Sequence, residues 1–344
     1  MIKVGILGAT GYAGAELVRL LCAHKHAEIT MLASKSYAGQ KMSEVIPSLR
    51  GICDIVLEEA DPEVAAKKCD VVFTALPHGV SHEVIKELYE KGLKVVDLSG
   101  DFRYNDLKVY EEWYGVEHAC PELLEKSVYG LCELHREEIK KSNLIGNPGC
   151  YTTCSILGLA PLVAKGIVET KNIIIDAKSG VSGAGRGLAL QTHFAECTET
   201  MKAYKVATHR HTSEIEQELS LLAGEDITLS FTPHLIPMKR GIFVTEYANL
   251  KKPYKKEELL KIYKDFYKDE KFIRVLDTLP EVKNITGSNY VDIGLTVDER
   301  LNRVIVIATI DNLIKGAAGQ AIQNMNLLFD LPEYEGLDRP GFYV

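Results

Sequence analysis

The sequence predicts an α/β chain in two parts: an N-terminal Rossmann-type parallel sheet, then a second α+β domain built on a largely antiparallel sheet. Three observations predict it. Apolar strand candidates alternate with amphipathic helices through the first half. A glycine-rich turn, GATGYAG (8–14), separates the first strand from the first helix. From residue 172 onward, long strands with polar alternation replace that rhythm. Alternating strands and helices imply a parallel sheet covered on both faces, whereas polar alternation implies an antiparallel sheet with one solvated face.

In order, IKVGILG (2–8) reads as a buried strand and AGAELVRLLCAH (13–24) as the helix behind it. AEITMLAS (27–34), CDVVFTAL (69–76) and LKVVDLSG (93–100) read as further strands, the last two separated by the helical VSHEVIKELYEKG (80–92). LIGNPGC (144–150) gives a short strand and a turn. In the second part, strands are expected at 172–180, 226–236, 241–250, 271–278, 290–299 and 303–312, with helices at 255–270 and 315–329. The expected domains are 1–149 with 313–344 for the nucleotide, and 150–312 for the chemistry.

The composition bounds the function. The chain has 344 residues, net charge −8, 46% hydrophobic and 26% charged residues. An acidic balance points away from nucleic-acid and membrane surfaces. The eight cysteines are dispersed without a CxxC pair, so free thiols in a reducing compartment are expected and no metal site is. The start meets a glycine turn too soon for a signal peptide, and no apolar run is long enough for a membrane span. A cytoplasmic location is the expectation.

Gly8, Gly11 and Gly14, with Thr10, Tyr12 and Ala13 between them, sit where backbone would approach a pyrophosphate and where helix packs on strand. The spacing is GxxGxxG; a tight turn without a ligand is the plain alternative. The second strand ends in Ser34, Lys35 and Ser36. An NAD site usually places an acid there for the ribose diol. Hydroxyls and a lysine suit a 2′-phosphate, so NADP(H) is expected. Pro77, in TALPHG, would wall the nicotinamide pocket. His78 and His82, four apart, could share a helix face, without a third metal ligand in view.

GNPGCYTTC (147–154) raises the chemistry. Asn147-Pro148-Gly149 reads as a turn, and the segment after it is helical. A cysteine in the first turn of a helix has its thiolate favoured by free N–H groups and the helix dipole. Cys150 is thus either a nucleophile or a small apolar filler. Cys154, one turn on, would share its face. VSGAGRG (181–187) offers backbone amides and Arg186 to an anion, or is a surface turn. In THRHTSEIEQELSLL (208–222), His209, Arg210 and His211 precede a helix begun by Thr212 or Ser213. On an extended backbone His209 and His211 would point apart, so the two would not serve the same site equally.

Six segments in order, GATGYAG, GNPGCYTT, SGVSGAGR, HRHTSEIEQ, PHLIPMKRG and DNLIKGAAGQAIQNMN, resemble the N-acetyl-gamma-glutamyl-phosphate reductases of arginine biosynthesis, relatives of the aspartate-semialdehyde dehydrogenases. The resemblance implies NADPH-dependent reduction of an acyl phosphate through a cysteine thioacyl intermediate, with a small-molecule substrate, inorganic phosphate as product, and a homodimer or homotetramer. It implies Cys150 as nucleophile and His209 as acid–base, with His211 its rival. Ser182, Gly183 and Asn312 are implied on the cofactor, and His211, Arg210, Arg186 and Arg240 on the substrate. Lys315 would begin the helix along the cofactor cleft. The chain departs from the family at Thr152 and Ser213, where proline is common, which puts local geometry in question rather than chemistry. Another acyl-phosphate reductase, acting on an aspartyl or a carrier-bound aminoadipyl substrate, is the nearest alternative; a non-catalytic NADP-binding protein is a more distant one.

Overall fold

The computed structural model describes residues 1–342. The chain divides into two compact units, Met1–Gly149 with Ala317–Arg339, and Cys150–Gly316 with the residues from Pro340 on. The chain returns to the first unit at Ala317.

The first unit holds six strands: β1 (Ile2–Leu7), β2 (Ala27–Ala33), β3 (Val71–Thr74), β4 (Lys94–Asp97), β5 (Val128–Tyr129) and β6 (Leu144–Gly146). They run in the order β2-β1-β3-β4-β6-β5, and every pairing is parallel. The reason is in the residues. Val71, Val72, Phe73 and Thr74 are all buried, as a strand covered on both faces requires. The order reverses between β1 and β3, so the turns leaving those two strands flank a crevice at the carboxyl edge. Two glycines shape that edge. Gly8 has φ +80°, and a Cβ there would lie 2.3 Å from the Ala75 carbonyl oxygen; one on Gly14 would lie 2.3 Å from the Gly8 oxygen.

The first helix spans Tyr12–Leu21, shorter than expected at its C-terminal end. Helices Leu107–Tyr114 and Cys132–Ile139 and the strand β5 went unread in the sequence. His78 does not share a helix with His82, since that helix begins at His82. His82 is buried, its Nε2 3.2 Å from the Tyr110 hydroxyl and 3.3 Å from Asp101. Among the described residues no cluster of His, Cys, Asp and Glu could hold a metal, and no helix is long and apolar enough to cross a membrane.

The second unit holds β7 (Ile173–Gly180), β8 (Lys202–Ala203), β9 (Leu229–Ile236), β10 (Ile242–Asn249), β11 (Ile273–Val275), β12 (Val291–Asp298) and β13 (Arg303–Ile310), in the order β11-β12-β13-β10-β7-β9-β8. The sheet is mixed: β7 with β9 and β11 with β12 are parallel, and the other pairings are antiparallel. The strand expected over 271–278 shrinks to Ile273–Val275.

Helix Cys150–Ala164 packs on this sheet, buried at every residue from Tyr151 to Val163. Pro161 removes the N–H that would bond the Leu157 carbonyl. The Tyr267 hydroxyl donates to that oxygen instead, at 2.6 Å, and the Tyr263 hydroxyl donates to Gly158 O at 2.6 Å. Gly158 also makes room for Glu246 of β10, because a Cβ there would lie 2.0 Å from the carboxylate. Burial raises that carboxyl well above the usual range.

Candidate active site

Cys150 opens its helix and is only half-buried, whereas the residues after it are buried. The turn before it is fixed by every polar group of Asn147. Its N–H donates to Asp97 O at 2.8 Å, and its carbonyl accepts from Arg103 Nε at 2.6 Å. Its side chain donates to Ala317 O at 3.2 Å and accepts from Asn324 Nδ2 at 3.1 Å. Arg103 and Asn324 are therefore positioning residues, and neither was singled out from the sequence. Arg103 follows a strand end in SGDFR, and its 7% exposure was the missing signal. Gly316 completes the surroundings of Cys150, since a Cβ there would lie 2.7 Å from the Cys150 Cβ.

The histidine segment meets the same helix. The Thr152 hydroxyl donates to Glu214 Oε1 at 2.8 Å, both groups buried. The Tyr151 ring lies 5.9 Å from His209 and 6.0 Å from His211, and the two imidazoles lie 4.7 Å apart. The expectation that these histidines point apart is thus overturned. The backbone is not extended: Arg210 has φ −58° and ψ −23°, and the helix already starts at His211. Thr212 and Ser213 lie inside that helix and do not begin it. Thr152 and Ser213 replace the expected prolines with hydrogen bonds, Ser213 donating to Arg210 O at 3.0 Å.

His209 is 8% exposed among Tyr151, Tyr204, Phe231 and His211. Burial, then the Arg210 and Lys205 charges, push its pKa down to about 3. The His211 N–H donates to His209 Nδ1 at 3.1 Å, so the neutral ring carries its proton on Nε2. This sets a pH dependence. The unfolded chain protonates this ring near pH 6.5 and the folded chain only near 3, so stability is full above 6.5 and falls as pH drops toward 3. His209→Phe should flatten that fall by up to roughly 4 kcal/mol, read from denaturant unfolding at pH 7 and at acid pH.

Other expected residues gather in the same unit. Asn312 Nδ2 donates to Ser182 Oγ at 2.9 Å, and its Oδ1 accepts from Gly241 N at 2.7 Å. Gly183 is adjacent, a Cβ there lying 3.7 Å from Asn312 Nδ2. Arg240 has a partner of its own, its Nε 3.5 Å from the buried Asp311. Arg186 is exposed and Arg210 half-buried; Lys315 is fully buried, its Nζ 5.9 Å from the Phe272 ring centre.

In the first unit, Thr10 and Ser34 share a 2.8 Å hydrogen bond, while Lys35 and Ser36 are exposed. Pro77 is exposed beyond β3, and the next turn is held by Asp101, which accepts from Gly79 N at 2.9 Å. Gly11 differs from its neighbours in the turn. It has no positive φ, and a Cβ there would make only an ordinary 3.5 Å contact, so the fold itself does not require glycine. Helix Tyr12–Leu21 has no side-chain cap. Residues of this kind fit a group whose phosphates approach the backbone closely.

The family model described as semialdehyde dehydrogenase, NAD binding domain, matches residues 3–142, and that described as semialdehyde dehydrogenase, dimerisation domain, matches 150–312. The N-acetyl-gamma-glutamyl-phosphate reductase of Acetivibrio thermocellus is 59% identical, with 100% of each chain covered. That of Desulforamulus reducens is 57% identical, again over 100% of each. The chain belongs to the N-acetyl-gamma-glutamyl-phosphate reductase family. It is an oxidoreductase whose first unit is a nicotinamide-nucleotide-binding domain. Among solved structures, aspartate semialdehyde dehydrogenase II from Vibrio cholerae aligns with a TM-score of 0.74 at 18% identity, covering 96% of this chain and 99% of that one. The NADP-bound aspartate semialdehyde dehydrogenase from Candida albicans aligns at 0.72 and 20%, covering 96% and 98%. These last two share the fold.

Proposed function

We propose that this chain reduces N-acetyl-L-glutamyl 5-phosphate to N-acetyl-L-glutamate 5-semialdehyde and phosphate, in arginine biosynthesis, with NADPH as reductant and Cys150 as covalent nucleophile. The observation that carries the reading is the half-exposed cysteine at a helix start, packed through Tyr151 and Thr152 against the His209–Glu214 segment, in a chain 59% identical to a protein of that name.

The Cys150 thiolate attacks the acyl carbon and phosphate departs, leaving a thioester. The reduced nicotinamide, when bound, supplies a hydride. The oxygen of the resulting thiohemiacetal carries negative charge until it collapses and expels the thiolate. His209, with its proton on Nε2, is suited to hold that oxygen and to exchange a proton with it. Arg186, Arg210 and Arg240 are the cationic candidates for the substrate's phosphate and carboxylate, with Arg240 drawn toward Asp311. Gly8–Gly14 would hold the pyrophosphate, with Gly11 left bare for that approach. Ser182 and Asn312, hydrogen-bonded to each other, and the adjacent Gly183 are proposed for the nicotinamide end.

A phosphate-dependent assay in reverse, with N-acetylglutamate semialdehyde against aspartate semialdehyde, tests substrate choice. Preference for the aspartyl compound would overturn it. For the cofactor, Ser34 is turned toward Thr10, which leaves exposed Lys35 and Ser36 for a 2′-phosphate. Lys35→Ala should weaken NADP binding by roughly 1.5–3 kcal/mol and barely alter NAD binding. Titration with both nucleotides checks it; equal losses would remove Lys35 from the phosphate.

The second unit's sheet fits association of copies. Along β10, buried residues facing the Cys150 helix alternate with half-buried Phe243, Thr245 and Tyr247 on the other face, and Ile174 of β7 is 39% exposed. We read this face as the contact of a homo-oligomer, in keeping with the dimerisation-domain match. Sedimentation of the chain against a Tyr247→Glu variant tests it.

A further inference from the structure

A buried carboxylate lies beneath the turn that leaves β3, and the chemistry above does not use it. Pro77, His78, Gly79 and Val80 of that turn are exposed, whereas Asp101 is fully buried. Donors meet both of its oxygens. The Gly79 N–H donates to the pair at 3.1 and 2.9 Å, the Ser81 hydroxyl to Oδ2 at 2.6 Å, and the Tyr110 hydroxyl to Oδ1 at 2.9 Å. Two imidazoles face the same residue. His82 Nδ1 accepts from Ala119 N at 3.3 Å and His118 Nδ1 from Cys120 N at 3.1 Å, so each neutral ring carries its proton on Nε2. His82 Nε2 then lies 3.3 Å from Asp101 Oδ2, and His118 Nε2 donates to the Asp101 carbonyl at 2.9 Å. Asp101 is itself anchored to the strand ends. Its N–H donates to Ser99 Oγ at 3.2 Å, Ser99 Oγ donates to Asp97 of β4 at 2.7 Å, and Thr74 of β3 donates to the same Asp97 at 2.8 Å.

The turn held this way borders the crevice at the carboxyl edge. The Ala75 carbonyl, at its start, is the group that a Cβ on Gly8 would strike, so the residues leaving β3 press against the glycine turn. An adenosine ribose belongs at the end of β2. A dinucleotide crossing the point where strand order reverses brings its other half to the side of β3. We propose that Asp101 is a positioning residue for nucleotide binding, fixing the Pro77–Ser81 turn as a wall for the nicotinamide half. The proposal rests on the reading of this crevice as the nucleotide site.

The residue type matters. An ionised carboxylate only accepts hydrogen bonds, and the groups aimed at its oxygens all donate. Asparagine in its place would turn an NH₂ group toward one of those donors and release it. Gly79, at φ +73°, is the turn residue with the most conformations to fall into once its N–H is freed. A turn that is in place part of the time weakens apparent affinity by the inverse of that fraction. The adenosine half, seated at β2, does not meet this turn and keeps its affinity.

The test titrates the full-length chain and three variants with NADPH and with adenosine 2′,5′-bisphosphate, a fragment of the adenosine half, well below their unfolding temperatures. Asp101→Asn should raise the Kd of NADPH roughly 10-fold and move that of the fragment by less than about twofold. Ser81→Ala removes one donor on the turn side and should raise the NADPH value roughly threefold, again without the fragment. Tyr110→Phe removes a donor on the helix side and should leave both values alone. Equal losses of NADPH and fragment, or an unchanged NADPH affinity in folded Asp101→Asn, would overturn the proposal. So would Tyr110→Phe weakening NADPH as much as Asp101→Asn. Should Asp101→Asn not fold, the contrast between NADPH and fragment in Ser81→Ala decides. Where the wild-type chain takes NADH in place of NADPH, the cofactor choice fails and the same contrast is read with NADH and ADP. A wild-type chain binding neither dinucleotide would overturn both readings.

Discussion

Cys150→Ser should lower turnover on the order of 10⁴-fold or more while NADPH still binds. The loss is large because a covalent step has no substitute once its nucleophile is gone. A serine hydroxyl in the same place is far less nucleophilic at neutral pH, and an ester is a poorer hydride acceptor than a thioester. Binding should survive because most of the expected nucleotide contacts, among them Gly8–Gly14 and Ser34–Ser36, belong to the other unit. Serine also keeps the local packing. Gly316, pressed against the Cys150 Cβ, sees the same Cβ in both forms. Cys154 provides the internal control. It was expected to share the face of Cys150. The structure buries it fully, and burial raises its thiol well above the usual range. Incubation with acyl phosphate but no reductant, then peptide mapping, should therefore find the acyl group on Cys150. An acyl group on Cys154, or undiminished turnover by Cys150→Ser, would end the mechanism.

The parallel sheet was legible because its strands are continuous apolar runs bounded by turns, as at Val71–Thr74. The short β5 and the helix Cys132–Ile139 were not. Cys132–Ile139 carries a non-helical residue, His135, and lacks a side-chain cap, so its pattern is broken where a reader would seek it. The glycine turn was legible as a motif, but its letters could not distinguish its members. Gly8 and Gly14 are demanded by backbone contacts, and Gly11 is not. Cys150 could be picked out because a turn followed by a helix is a local pattern. The supports of that turn could not, because Arg103 and Asn324 reach Asn147 across large sequence separations. The histidine pair failed differently. An extended backbone was assumed one residue too far, and the αR conformation of Arg210 brings both rings to Tyr151.

That geometry also sharpens what the histidine variants should do. His209→Asn should slow turnover by about 10²–10⁴-fold, and His211→Asn should be milder. The reason for placing His209 first is its ring. It is buried among aromatic side chains, neutral through the working range, and fixed by the His211 N–H so that Nε2 carries the proton. A ring held this way can donate a hydrogen bond to the thiohemiacetal oxygen. His209→Gln separates the two parts of its role, because an amide can donate but cannot take up a proton. If holding the oxygen is the larger part, Gln should recover much of the roughly 10²–10³-fold that one such donor contributes. If proton exchange is the larger part, Gln should be as slow as Asn. Because His211 supplies the N–H from its backbone, His211→Asn keeps that bond and should leave the His209 tautomer unchanged. Measuring kcat and KM for the three variants across pH decides among these. Should His211→Asn prove the slowest, the acid–base role moves to His211, with Cys150 still the nucleophile.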